Sequence, residues 1–389
     1  MSLWPSVRLS ECCEIVGGAT PSTSEPSHWG GGVHWATPKD LSELNGSYLD
    51  STPRTLTESG LASCSASVLP LRSVLFSSRA PIGLVAINRV PVATNQGFKS
   101  FVPDTSLVHA EYLLHWLRTH RPMLESLGNG ATFKEVSKAV VSRVKMPLPP
   151  LPEQRRIAEV LDRAEALRAQ RRQALAQLDA LAESIFLDMF GDPVSNPKGW
   201  PRKPMGAIGH VVTGNTPSRA NAEYYGDAIE WIKSDNLNTP QDHATRATEY
   251  LSAQGREVGR VAPPGSILVT CIAGSPECIG NAAIVEREVA FNQQINALIP
   301  AEGCLDFWFA QLTVGKRLVQ AASTDGMKGM VSKSRFERIE LIVPPEPLQE
   351  LFAVRRKAVA QLKSLQTSAL AEADALFASL QHRAFRGEL

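Results

Sequence analysis

Between Glu153 and Met189 the chain contains neither Gly nor Pro, and Val160, Ala164, Leu167, Arg171, Ala174, Leu178, Leu181 and Ile185 recur at alternating spacings of four and three. That is the seam of a coiled coil, with Arg171 as its polar intruder, its stem lying along apolar neighbours while the head reaches water. Phe352, Val359, Leu362, Ala369, Ala373, Leu376 and Leu380 trace a comparable stripe near the other end of the sequence. The remaining surface of each helix is Gln, Arg, Lys, Glu and Ala, so the natural partner of each is the other. Prolines precede both helices, Glu153 suits the positive end of a helix dipole, and Gly191-Asp192-Pro193 stops the first helix. About 37 residues at 1.5 Å each make a rod of roughly 55 Å.

The segments before the helices follow a different pattern. Short apolar runs at Ser73 to Phe76, Leu84 to Asn88, Ile267 to Cys271 and Ala282 to Val285 are bounded by Gly and Pro and predict strands. Glu111 to Leu127 and Leu305 to Ala322 predict helices near the end of each segment. The order of elements predicts an α+β protein: mixed domain, long helix, mixed domain, long helix.

The chain also repeats itself. Gly18-Ala19-Thr20-Pro21-Ser22 returns as Gly214-Asn215-Thr216-Pro217-Ser218, Trp29-Gly30 as Tyr225-Gly226, and Trp35 as Trp231, all at an offset of 196. Asn95-Gln96 returns as Asn292-Gln293, and Val136-Ser137-Lys138 as Val331-Ser332-Lys333. Pro149-Pro150-Leu151-Pro152-Glu153-Gln154 matches Pro344-Pro345-Glu346-Pro347-Leu348-Gln349, so each half ends in the same junction. A repeat this long divides the chain into domains at 1–150 and 193–345, with helical spacers at 151–192 and 346–389.

Composition narrows the class. At 389 residues with 43% hydrophobic and 20% charged residues, the chain has enough apolar surface to fold as two domains. It has no membrane-length apolar run and no secretory pattern at Met1, from which a cytoplasmic, membrane-free protein is expected. The six cysteines form no Cys-x-x-Cys pair and are expected to be buried thiols. Lys plus Arg against Asp plus Glu is 13 to 11 in residues 1–150 and 15 to 15 in 193–345, so any DNA site must be local.

Motifs for chemistry are missing. No acidic residue is followed two positions later by Lys, as a restriction nuclease core would need. There is no zinc-binding His-Glu-x-x-His and no phosphate loop. Asn196-Pro197-Lys198-Gly199 lacks the second proline and the aromatic that hold a flipped base in an amino-methylating enzyme, and reads as a turn. The chain is expected to catalyse nothing and to hold no cofactor or metal.

The duplicated Pro-Pro-Leu-Pro-Glu-Gln-Arg-Arg-Ile-Ala junction, Phe190-Gly191-Asp192-Pro193, the Arg383-Ala384-Phe385-Arg386-Gly387-Glu388-Leu389 end and both Gly-x-Thr-Pro-Ser and Asn-Gln segments together resemble a type I restriction-modification specificity subunit. The resemblance spans the whole chain. It implies two target recognition domains, each reading one half of an asymmetric, bipartite double-stranded DNA target, held apart by two antiparallel helices that act as a ruler. It also implies docked methyltransferase subunits using S-adenosylmethionine, and motor-nuclease subunits using ATP and magnesium. Leu348-Gln349-Glu350, where the first junction has Glu153-Gln154-Arg155, departs from the pattern. A specificity partner for another methyltransferase-based defence system, or a coiled-coil scaffold that binds no DNA, are the alternative readings.

Phosphate contact needs Lys or Arg, and base readout needs donors and acceptors in loops. The glycine-rich stretches before the junctions supply Thr132, Lys134 and Lys138 in the first domain and Lys328 and Lys333 in the second. Lys39, Asp40, Lys233, Asp235 and Asn236, following the repeated tryptophans, form a second candidate set. Trp35 and Trp231 are better placed in the core. Asn95-Gln96 and Asn292-Gln293 could read adenine, but they recur in domains expected to read different sequences, which assigns them to scaffold or backbone contact.

Overall fold

The computed structural model describes residues 4–130, 134–324 and 329–389. The protein is α+β and divides into two compact units, Met1–Arg172 with Ser368–Leu389, and Gln173–Thr367. Each unit therefore holds one mixed domain together with part of each long helix.

In the first unit a five-stranded sheet has the order Cys13–Gly17, Lys99–Pro103, Val74–Phe76, Val85–Asn88, Tyr48–Leu49. All its pairings are antiparallel except the last. A three-stranded sheet sets Trp29–Ala36 between Thr55–Leu56 and Val92–Thr94. The predicted runs at 73–76 and 84–88 become strands within one residue of expectation, because three and four consecutive buried positions leave no polar face. The predicted helix over 111–127 is two helices, Ala110–Thr119 and Arg121–Ser126, broken at His120 ahead of Pro122. Tyr112, Leu113, Leu117 and Trp116 from the first of these pack with Phe76, Phe101, Ile157 and Leu161 in one core.

The second unit repeats the plan. One four-stranded sheet has the order Gly209–Thr213, Ile295–Pro300, Ser266–Thr270, Ala282–Val285, and another Tyr250–Leu251, Tyr225–Ile232, Val289–Phe291, Val261–Ala262. The helix expected over 305–322 breaks at Gly315 into Leu305–Val314 and Lys316–Ala321. Phe186, Phe190, Phe307 and Phe352 form an aromatic cluster with ring centroids 4.8–5.7 Å apart, which fastens both long helices to this domain. Among the cysteines, all free, Cys12, Cys13 and Cys271 are buried, whereas Cys64, Cys278 and Cys304 are only partly so.

The long helices run over Leu151–Phe190 and Glu346–Ala384, 40 and 39 residues. They are antiparallel partners in each unit. In the first, Arg156 reaches the Leu389 carbonyl at 3.1 Å and Arg168 reaches Asp374 at 2.5 Å. In the second, Lys363 meets Asp179 at 2.5 Å and Phe186 meets Phe352. The seam differs from the expected stripe. Phe352, Val359 and Ala373 are buried, but Leu167, Leu181, Leu362 and Leu376 are 40–53% exposed. Charged residues take part of the seam instead: the Arg168 guanidinium lies 4.4 Å from the Phe377 ring centroid while bonding Asp374 and Glu165. A helix this rich in Ala and Leu carries two apolar stripes, and long side chains that bury their stems and pair their heads decide between them.

The repeated junction has a clear structural task. Gln154 is fully buried, accepts from the His109 N–H at 2.8 Å and donates to the carbonyls of Leu107 and Pro149, both at 2.8 Å. Gln349 is its twin, accepting from the Cys304 N–H at 3.2 Å and donating to the Pro344 carbonyl at 2.8 Å. Each glutamine ties the start of a long helix to the N-cap of an earlier one, His109 before Ala110–Thr119 and Cys304 before Leu305–Val314. The departures at Leu348 and Glu350 leave that clasp intact.

Candidate nucleic-acid interface

Both domains are built on one hydrogen-bonded frame made from the shared motifs. The Thr20 hydroxyl bonds the Gln96 side-chain carbonyl, and the Thr216 hydroxyl bonds that of Gln293. Gly18 and Gly214 lie so close to the backbone oxygens of Thr94 and Asn95, and of Phe291 and Asn292, that a side chain at either would collide with them. The Trp35 indole donates to the Ala19 carbonyl at 3.1 Å and the Trp231 indole to that of Asn215 at 3.3 Å. Asn95 and Asn292 accept from the N–H two residues on, at 2.9 and 3.1 Å. These residues hold the same loops in both domains; Trp35, Trp231, Gly214 and Asn292 are buried, whereas Gln96, Thr216 and Gln293 are exposed.

On this frame the outward chemistry differs. Val136 N–H bonds the Ser78 carbonyl at 2.9 Å, and its counterpart Val331 bonds that of Cys271 at 2.8 Å. Beside the first bond stand Arg79, Lys99 and Glu135, with Lys99 3.1 Å and Arg79 4.0 Å from the carboxylate. Beside the second, Ile272–Ala273 pairs with Gly329–Met330, and Met330 is 42% exposed. His34 sits 3.2 Å from the Thr52 hydroxyl. Its counterpart Glu230 is buried against Arg287 at 2.6 Å, the Ala247 N–H at 3.0 Å and Arg246 at 2.5 Å. The Arg287 hydrogen bond, with those from Ala247 and Arg246, holds the Glu230 carboxyl down at about 2 against the penalty of burial.

Lys39 is exposed and 3.5 Å from Glu43. Asp40 accepts from the Thr37 N–H at 2.6 Å and hydroxyl at 2.8 Å, capping its own short helix. Asn236 accepts from the Lys233 N–H at 3.0 Å and donates to the Thr245 hydroxyl and Arg246 carbonyl, so both amide donors serve the turn. Asp235 is exposed. Lys134 and Lys138 are exposed and make no ion pair among the described residues, and Lys333 is 3.6 Å from Glu337. Thr132 and Lys328 lie outside the described residues.

Lys233 leads to residues that the sequence reading missed. Its ammonium pairs with Glu249 and lies 5.2 Å from the centroid of the Trp231 ring. Arg219 bonds the same carboxylate at 2.6 Å and stacks over Tyr225 and Trp231, at 4.4 and 5.0 Å. In the first domain Arg54 covers Trp29 and Trp35, at 3.8 and 4.9 Å. Nothing in the linear pattern joins Arg54 to Trp29. Among the described residues no cluster of His, Cys, Asp and Glu is arranged to hold a metal ion, and no helix is long and apolar enough to cross a membrane.

Residues 1–178 and 197–365 match the type I restriction modification DNA specificity domain, and the chain belongs to that family. It is 34% identical over 251 residues to the type I restriction enzyme MjaIX specificity subunit of Methanocaldococcus jannaschii, a stretch spanning 60% of this chain and 58% of that protein. It is 32% identical over 162 residues to the HindI specificity subunit of Haemophilus influenzae, covering 40% of this chain and 34% of that one. The chain thus aligns with little more than half the length of these relatives, or less. Its fold is shared with a solved chain from work on complex assembly and conformational transition of the type I R-M system, at a TM-score of 0.65 and 21% identity over 99% of this chain and 98% of that one. It is shared also with the type I restriction-modification S subunit from M. genitalium, at a TM-score of 0.58 and 12% identity over 98% and 96%.

Proposed function

We propose that this chain is the DNA-sequence-specificity subunit of a type I restriction-modification complex, that it recognises an asymmetric bipartite duplex target, and that it catalyses nothing itself. The carrying observation is that two domains repeat one hydrogen-bonded frame, Thr20 to Gln96 and Thr216 to Gln293, while differing in the side chains set around it. Arg79, Lys99 and Glu135 offer donors and an acceptor of the kind that meets guanine or cytosine edges, where the second domain offers Ile272 and Met330, suited to a thymine methyl. Different half-sites follow from different side chains on one scaffold.

The helices support the rest of the reading. Forty residues at 1.5 Å each give about 60 Å, more than one turn of B-DNA, so helix length sets the half-site spacing. Leu351, Val354, Leu362 and Leu365 line one face of the second helix and are 43–67% exposed, a surface for docking methyltransferase subunits. Those subunits would carry S-adenosylmethionine and flip the adenines. Motor-nuclease subunits would bring ATP and magnesium, and the assembly would work in the cytoplasm, where the DNA is.

The test is selection from a random duplex pool by the complex of this chain with its methyltransferase subunits. The enriched sequences should share one gapped motif with two unlike halves. Enrichment of a single continuous motif, or none above a methyltransferase-only control, would count against the proposal.

A further inference from the structure

Arg54 and Arg219 occupy the same place in the two domains although they are not equivalent in sequence. Trp35 and Trp231 are equivalent, and their N–H groups bond the carbonyls of Arg54 and Glu249, at 3.1 and 3.0 Å. The backbone counterpart of Arg54 is therefore Glu249. Arg219 instead follows the repeated Thr216-Pro217-Ser218, where the first domain has Thr23. Yet each guanidinium covers the corresponding aromatic pair, Trp29 with Trp35 (centroids 5.0 Å apart, 81°) and Tyr225 with Trp231 (6.1 Å, 76°). Two different positions have delivered one cation to one spot.

From that convergence we infer that the Arg54 and Arg219 ledges are the DNA-phosphate clamps of the two domains. What two domains with different target sequences retain in common is contact with the sequence-independent part of the ligand, its backbone. The chemistry fits. Stacking uses the face of the guanidinium and leaves its in-plane N–H groups to meet phosphate oxygens two at a time. The rings also fix the side chain, so less rotamer freedom is lost on binding. Arg54 is exposed and has no carboxylate partner among the described residues. Arg219 shares Glu249 with Lys233, so the second ledge carries two cations and one anion, a net charge equal to that of the first.

The inference rests on the DNA-reading function proposed above, and its test separates the two. The full chain in complex with its methyltransferase subunits is titrated with a duplex carrying the selected motif and with an unrelated duplex, over a salt series. Arg54→Gln should weaken both duplexes about five-fold and lower the slope of log affinity against log salt by about one, with the selected motif unchanged. Arg219→Gln should act in the same direction, and Arg54→Lys should recover most of the salt slope. A wild-type complex that binds with normal salt dependence, beside an Arg54→Gln complex of equal affinity and slope but lowered thermal midpoint, would make the arginine a cover for the rings and overturn the inference alone. A change in the selected half-site would overturn it too, since that marks base reading. A wild-type complex without salt-dependent DNA binding would remove the function and the inference together.

Discussion

The side-chain carbonyl of Gln154 accepts a hydrogen bond from the backbone N–H of His109 at 2.8 Å, inside the first domain and fully shielded from water. With its two donated bonds, this side chain satisfies three backbone groups, those of His109, Leu107 and Pro149. Gln154→Leu keeps the volume and strands all three, so the first unit should lose about 3 kcal/mol in urea unfolding. Gln349→Leu strands two, and its loss in the second unit should be smaller.

Glu230 makes the second unit sensitive to acid. Its folded carboxyl sits at about 2 against an ordinary value of 4.5, a depressed pKa, and its side chain is only 7% exposed. The stabilisation is therefore fully present above pH 4.5 and is lost as pH falls toward 2. It amounts to on the order of 3 kcal/mol at neutral pH. Glu230→Gln should flatten the fall of the second unit's urea midpoint between those two pH values and lower its stability at neutral pH. An unchanged pH profile would contradict the assignment.

The exposed stripe on the second helix gives a docking prediction. Val354 and Leu365 are 67% and 66% exposed, so replacing both with Glu costs the free chain little stability. The double variant should keep its thermal midpoint and elute free of methyltransferase subunits in size-exclusion chromatography. Retention of the complex would move the docking surface elsewhere.

A matched heptad tests the spacing. Inserted after Arg172 in one helix and before Ser368 in the other, where the two compact units divide, it adds about 10 Å to each helix, or roughly three base pairs. The selected motif should keep both half-sites and widen its gap. Altered half-sites with the original gap would contradict the ruler.

Much of this architecture was readable in the sequence, for physical reasons that also mark where reading stopped. The long helices are visible because some forty residues without Gly or Pro have no other low-energy outcome, and the strands because consecutive buried residues between turns leave little choice. Apolar spacing places Leu167 and Leu376 in the seam, but it does not show that Arg168 lays its guanidinium on Phe377 and pairs it with Asp374. The sequence shows Gln154 as part of a motif, but its task depends on His109, 45 residues away. The place of Lys233 after Trp231 makes it legible as a candidate, whereas Arg54 is not, since its ring partner Trp29 lies across a sheet pairing. Asp40 and Asn236 had the right chemistry for bases, yet their polar atoms close local turns.

The central claim, that two unlike reading domains on one frame direct methylation to a split sequence, is tested most directly by mapping modified bases. The chain is co-expressed with its cognate methyltransferase subunits in a host lacking other adenine methylation, and the genome is read by methylation-sensitive long-read sequencing. The account predicts N6-methyladenine at one asymmetric, gapped motif, lost when this chain is omitted. Methylation at a continuous palindrome, or the same pattern with and without this chain, would contradict it.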